Sequence, residues 1–241
     1  MLDIDAQVES LADADKAKVL RGFFKTGEGQ YGQGDEFLGI TVPKLRKLCK
    51  EHWKDASLDD VSGLVKSAIH EKRLLGLLFL IEMYNQAAKA GDLKVRKRIF
   101  DFYLRILRGN CVNNWDLVDV TCRDIVGAHL ADKERGLLDE LAGSKNLWER
   151  RVAIISTYYF IQHNDFGDTL RIAETLLGDE HDLIHKAVGW MLREVGKRNK
   201  AVLADFMEQH CTQMPRTMLR YAIEKLFPRE RKKYLGGSVP G

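Results

Sequence analysis

Trp115 and Asp119 stand four residues apart in the stretch Asn113-Asn114-Trp115-Asp116-Leu117-Val118-Asp119. On an α-helix that interval projects both side chains from one face, one turn above the other. An indole face attracts a cation, and a carboxylate can stabilise a developing positive charge or orient a water. The pair suits a substrate that carries positive charge and gains more as it reacts. The same spacing also fits a core tryptophan beside an acid that meets the helix dipole, so the spacing alone leaves both readings open.

Three later stretches carry cations and aromatics at helical intervals: Trp148-Glu149-Arg150-Arg151, then Lys186-Ala187-Val188-Gly189-Trp190, then Arg216-Thr217-Met218-Leu219-Arg220. If they occupy equivalent helices of successive repeats, Trp115, Arg151 and Trp190 can converge on one patch. The cations sharing that face would be Arg150 or Arg151, Lys186, Arg193, Lys197, Arg216 and Arg220. Such a stripe would track a phosphate backbone, each cation displacing counterions. Arg151 opens its helix, where the dipole disfavours a cation. Something must hold it there, either a site or a neighbouring acid such as Asp119 or Glu149. Trp148 reads as packing between repeats. The run Lys94, Arg96, Lys97, Arg98 reads as a solvated helix face.

Helices must position these residues. Apolar positions recur at helical spacing over residues 3–25 (Val8, Leu11, Ala12, Val19, Leu20, Phe23, Phe24). The glycine-rich run 27–34 ends that helix or helix pair and reads as a flexible connection; with no strand-like run before it, it is no phosphate cradle. Thr41 is placed to cap a helix with Pro43 in its first turn. Leu45, Leu48, Cys49 and His52 line one face of that helix, and Ser57-Leu58-Asp59-Asp60 has the form of a capping box. Glu71 to Ala90 is apolar nearly all round through Ile81, as a helix buried between neighbours is. An amphipathic helix follows over Leu93–Leu107, and Asn113 or Asn114 can cap one running through Leu130. Further helices are expected near 132–142, 146–163, 166–177, 181–197, 200–210 and 215–226. The fold class is all-α.

The helices also recur. Similar segments begin at Arg73, Arg151, Ala187 and Arg220, at intervals of 78, 36 and 33 residues, and the Trp115 helix fills the first, double interval. A period in the roughly high thirties with paired helices points to a HEAT-like α-solenoid of stacked antiparallel helix pairs. Such a chain curves into an arc with a concave, here basic, face lined by the second helix of each pair. The alternative is a helical bundle with coincidental spacing. The organisation expected is one repeat domain over 1–234 and a flexible C-terminal tail over 235–241.

Composition narrows the classes. The 241 residues are 45% hydrophobic and 30% charged with four prolines, an ordinary globular balance that leans helical. A net charge of +3 favours nucleic acid only if the cations cluster. The start Met1-Leu2-Asp3-Ile4-Asp5 lacks a secretory signal, and the most apolar stretch, Leu74 to Ile81, is too short to span a bilayer. Cys49, Cys111, Cys122 and Cys211 are scattered, as reduced thiols are. The seven histidines show no ligand spacing, so neither a metal nor another cofactor is expected.

Four motifs in order, Phe37-Leu-Gly-Ile-Thr-Val-Pro-Lys-Leu-Arg, Trp115-Asp-Leu-Val-Asp119, Leu147-Trp-Glu-Arg-Arg151 and Lys186-Ala-Val-Gly-Trp-Met-Leu-Arg-Glu194, resemble the AlkD-type DNA alkylation-repair glycosylases over about residues 20–227. The resemblance implies a HEAT-like solenoid whose basic concave face binds duplex DNA and excises N3- and N7-alkylated purines. It puts the family's active-site tryptophan on Trp115, its catalytic acid on Asp119, its arginine on Arg151 and its second aromatic on Trp190. It departs at Asn114, where some members carry a second tryptophan. The expectation is a monomeric, cytoplasmic DNA glycosylase, nucleoid-associated when on DNA. The alternatives are a catalytically silent DNA-binding relative and a protein–protein scaffold.

Overall fold

The computed structural model describes residues 4–236, and the described residues are all-helical. Their only β-type pairing is an isolated parallel bridge between Glu36 and Ile69. Among them no helix is long and apolar enough to cross a membrane. The chain divides into two compact units, Met1–Ile125 and Val126–Gly241.

The first unit contains α1 (Asp5–Ser10), α2 (Ala14–Phe23), α3 (Val42–His52), α4 (Leu58–Val65), α5 (His70–Lys89), α6 (Leu93–Arg108) and α7 (Trp115–Cys122). Helix α5 is its axis. Because its sequence is apolar around the whole circumference, α3, α4, α6 and α7 can all pack against it. The expected capping box closes α4: Ser57 accepts from the Asp60 amide and Asp60 accepts from the Ser57 amide. Thr41 stands at the α3 N-cap without a side-chain cap bond, and Pro43 lies in the first turn. Leu45, Leu48 and Cys49 are buried, while His52 is half-buried and contacts Gln7 at 3.0 Å.

Three details depart from the sequence expectation, one being that the single helix expected near 146–163 divides at Thr157 into Leu147–Ser156 and Tyr158–Gln162. The periodic positions of α2 divide: Ala17 and Phe24 are buried, whereas Val19 and Phe23 face solvent. The helix from Asn114 does not run unbroken to Leu130. It widens after Cys122 into a π turn, Arg123–Gly127. Such wide turns occur inside α-helices and are frequent at functional sites.

The glycine-rich run is a series of hydrogen-bonded turns. The Gln30 and Gln33 side chains accept from the Gly27 and Gly29 amides at 3.0 and 2.8 Å. The next segment, Phe37 to Ile40, is drawn onto α5 by the buried Glu71 carboxylate, which accepts from the amides of Leu38, Gly39 and Ile40 at 3.1, 2.7 and 3.1 Å. Gly39 adopts φ +83° and a Cβ there would sit 2.1 Å from the Asp13 carbonyl oxygen, so only glycine fits. Asp13 in turn caps α2.

The second unit contains α8 (Gly136–Ala142), α9 (Leu147–Ser156), α10 (Tyr158–Gln162), α11 (Gly167–Thr175), α12 (Asp182–Arg198), α13 (Lys200–His210), α14 (Arg216–Ala222) and α15 (Pro228–Leu235). Helix α12 is its centre and packs on α9, α10, α11, α13 and α14. At Gly189 the backbones of α12 and α14 come so close that a Cβ would lie 2.5 Å from the Met218 carbonyl oxygen. Trp148 is buried, as its assignment to the core requires. Of the expected tail 235–241, Leu235 closes α15 and Gly236 is its C-cap; residues 237–241 lie outside the described residues.

Candidate functional site

The first turn of α7 is anchored on both sides of Trp115. Asn114, fully buried and extended, is the N-cap; its oxygen accepts from the Trp115 amide at 2.9 Å and its amide group donates to Asp35 at 3.1 Å. Asp116 uses one oxygen for the Leu117 amide (2.9 Å) and the other for His70 Nε2 (2.8 Å). The opposite ring nitrogen, His70 Nδ1, lies 3.4 Å from Asp35 Oδ2. Arg73 closes the cluster with Nη2 at 2.6 Å from Asp35 Oδ1, and its Nη1 donates to the Ser67 and Ala68 carbonyls.

Asp35, His70 and Arg73 are buried. Burial opposes charge on His70, but the Asp116 and Asp35 hydrogen bonds outweigh it and raise its pKa above the ordinary histidine value. Burial likewise opposes charge on Asp35, and there the His70 hydrogen bond and the Arg73 guanidinium prevail and lower its pKa. Both carboxylates then face cations, the condition under which buried charge persists.

The indole of Trp115 ends an aromatic stack. It lies on Phe24 at 5.4 Å and 15°; Phe24 lies on Phe37 at 5.1 Å and 20°; His70 follows Phe37 at 4.8 Å and 23°. Phe23 meets Trp115 edge-on at 5.9 Å. Pairs of this kind contribute about 0.5–1.5 kcal/mol each beyond the area they bury. Trp115 is therefore part core and part surface.

Asp119, one turn along α7, is half-exposed. Below it Tyr103 is fully buried and contacts Thr121 Oγ1 at 2.8 Å. Burial chiefly, with Cys122 and the Asp119 charge adding, drives the Tyr103 pKa well up, so the phenol stays neutral.

In the second unit Arg151 is buried in the second turn of α9, not at its start as expected, and donates to the Leu183 carbonyl at the start of α12. Arg150 is occupied by Asp179 (2.6 Å) and by the Ser144 and Lys145 carbonyls. Trp190 is half-buried, donates to Glu194 at 3.1 Å and lies 6.1 Å from the Tyr158 ring. Glu194 also receives Lys197 at 2.8 Å and Arg193 at 3.4 Å; Arg193 reaches Glu224 as well. Lys186 pairs with Asp182 at 2.7 Å, Arg216 donates to the Leu235 carbonyl, and Arg220 is exposed. The expected stripe thus carries carboxylate partners along with its cations. The acid within it, Glu194, stands four residues after Trp190, the interval that separates Trp115 from Asp119, and that repeated interval could have singled it out.

The profile of the DNA alkylation repair enzyme family matches residues 4–226. Among curated proteins none matches. A solved structure, described as a predicted DNA alkylation repair enzyme from Enterococcus faecalis, is 18% identical with a TM-score of 0.69, covering 90% of this chain and 97% of that one. At that identity the likeness speaks to the fold. The profile, spanning nearly the whole sequence and both units, carries the assignment: the chain belongs to the DNA alkylation repair enzyme family.

Proposed function

We propose that this protein is a DNA glycosylase that hydrolyses the N-glycosidic bond of N3- and N7-alkylated purines in duplex DNA. The observation that carries the reading is Trp115 and Asp119 one turn apart on α7, with both residues partly exposed and the indole backed by Phe24, in a chain whose family repairs alkylated DNA.

Alkylation at N3 or N7 makes the purine cationic and a good leaving group. As the bond to C1′ breaks, its electron pair passes to the base and neutralises it, leaving an oxocarbenium-like sugar. Asp119 would stabilise that cation, orient the attacking water and take its proton as the C1′–O bond forms. Trp115, and Trp190 in the second unit, would pack on deoxyribose, adding about 1–2 kcal/mol of cation–π attraction once water is excluded. Arg151 would hold a phosphate. Arg150, Lys186, Arg193, Lys197, Arg216 and Arg220 would neutralise others, the last the most exposed of the set. We read the helices as HEAT-like repeats. The four similar segments begin on α5, α9, α12 and α14, and in the second unit α9 packs on α12 and α12 on α14. The protein would work as a monomer without a cofactor.

The test is release of methylated purines from a dimethyl sulfate-treated plasmid. Wild type releases 7-methylguanine and 3-methyladenine; Asp119→Asn loses release by about a hundredfold or more while duplex affinity stays within about twofold. An Asp119→Asn protein with wild-type rates removes the residue from the chemistry. Duplex binding with no release by wild type leaves a silent DNA-binding relative.

A further inference from the structure

The sequence motifs contain Trp115 and Asp119 but not what holds them. Asn114 and Asp116, the residues on either side of Trp115, both end on one buried cluster, and His70 stands at its centre. Its two ring nitrogens face Asp35, from the segment after the glycine-rich run, and Asp116, from α7. The other charged group facing it is Arg73, one turn along α5, with Nη2 at 3.5 Å from Nδ1. Phe24 and Phe37 each pack on the imidazole at 4.8 Å. With His70 protonated the four ionisable groups sum to zero, two carboxylates against two cations, and both ring nitrogens donate. Without that proton one ring nitrogen has no hydrogen to give, and one carboxylate is left uncompensated in a buried cluster. Asp116 is the member with access to water, its side chain 19% exposed against 3% for Asp35. It is the one that can turn away, and doing so frees the first turn of α7.

We propose that His70 is a positioning residue: its imidazolium, held between Asp35 and Asp116, fixes the first turn of α7 and so the orientation of Trp115 and the placement of Asp119. The proposal rests on the glycosylase reading for its consequence in catalysis, but the coupling of His70 to Trp115 stands apart from it. The sign of the pH effect follows from the cluster. The folded pKa lies above the unfolded value, so the clamp is complete below about 6.5 and is lost as pH rises through the folded pKa.

Two measurements on the full chain decide it. In 15N-histidine NMR, His70 titrates with a midpoint above the ordinary histidine value of about 6.5, and the Trp115 indole resonance shifts with the same midpoint. In single-turnover excision from methylated duplex, wild type falls along that alkaline limb. His70→Gln loses the limb and is slower by about a hundredfold, the cost of a small misplacement of reacting groups, with duplex affinity within about twofold. Asp116→Asn, which keeps the shape of the cluster, gives the same loss of the limb and serves if His70→Gln does not fold. A Trp115 resonance indifferent to His70 overturns the proposal, as does an active His70→Gln with the wild-type limb and rate. If wild type excises nothing at any pH, the glycosylase reading fails alone, and the resonance titration still decides the clamp.

Discussion

Replacing Glu71 should show how much of the first unit depends on one buried carboxylate. Its side chain holds three amides of the segment that carries Phe37 under Trp115; those of Gly39 and Ile40 are buried and share Oε1, and that of Leu38 is half-buried and uses Oε2. Glu71→Ala strands all three. Each fully buried amide left without an acceptor costs about 1–3 kcal/mol, and the Leu38 amide, which water can reach, about 0.5–1.5, so the loss is about 2.5–7.5 kcal/mol. Glu71→Gln can keep its oxygen on Gly39 and Ile40. It then turns an NH2 toward the Leu38 amide, two donors face to face, and the loss is about 1–2 kcal/mol. Against a total stability of about 5–15 kcal/mol the alanine variant is near failure. Urea unfolding followed by far-UV circular dichroism reads the difference, with the slope unchanged if only the folded state is affected. An alanine variant within about 1 kcal/mol of wild type, or a glutamine variant as weak as alanine, would show that Glu71 does not hold this segment.

Two further outcomes are expected. Asp35 has a lowered folded pKa, so the stability it contributes is present above about pH 3.9 and is lost as pH falls through the folded value; acid unfolding of wild type includes this step, and Asp35→Asn lacks it and is less stable at neutral pH. Glu194→Gln keeps an acceptor for the Trp190 indole but removes the charge from Lys197 and Arg193; anisotropy titrations of a duplex at increasing salt then give a slope steeper by about 1–2 in log–log terms, about 0.9 for each cation that gains a phosphate. An unchanged slope means these cations do not meet DNA.

What the sequence disclosed was what lies close together along it. Helical periodicity is local, so α5, α6, α12 and α13 are where the spacing of apolar residues puts them, and the Ser57 box and Asn114 cap need only three or four residues to be read. The cluster beneath Trp115 was not legible. Asp35, His70 and Asp116 are separated by tens of residues, and nothing in their local sequence distinguishes a buried clamp from solvated charge. Helix α15 escaped because Pro228–Leu235 is mostly charged and buries only Tyr234, leaving no apolar period to detect. The charge of the second unit was misjudged for a similar reason. Counting lysines and arginines on a face ignores carboxylates that arrive from other helices, as Glu224 does to Arg193 and Asp179 to Arg150.

The turns between Phe24 and Phe37 have a practical corollary. Both ends are clamped by the rings they carry, which lie 5.1 Å apart, and Gly32 cannot accept a side chain because a Cβ would strike the Phe24 carbonyl. At Gly29, by contrast, nothing lies within 4 Å of where a Cβ would be. Gly29 itself has φ +72° and bonds Gln33, so it must stay glycine; an epitope or fluorophore-bearing peptide inserted after it would be carried outward with the stacked rings at both ends in place, which makes this bend a place to open the chain for labelling, tethering or circular permutation.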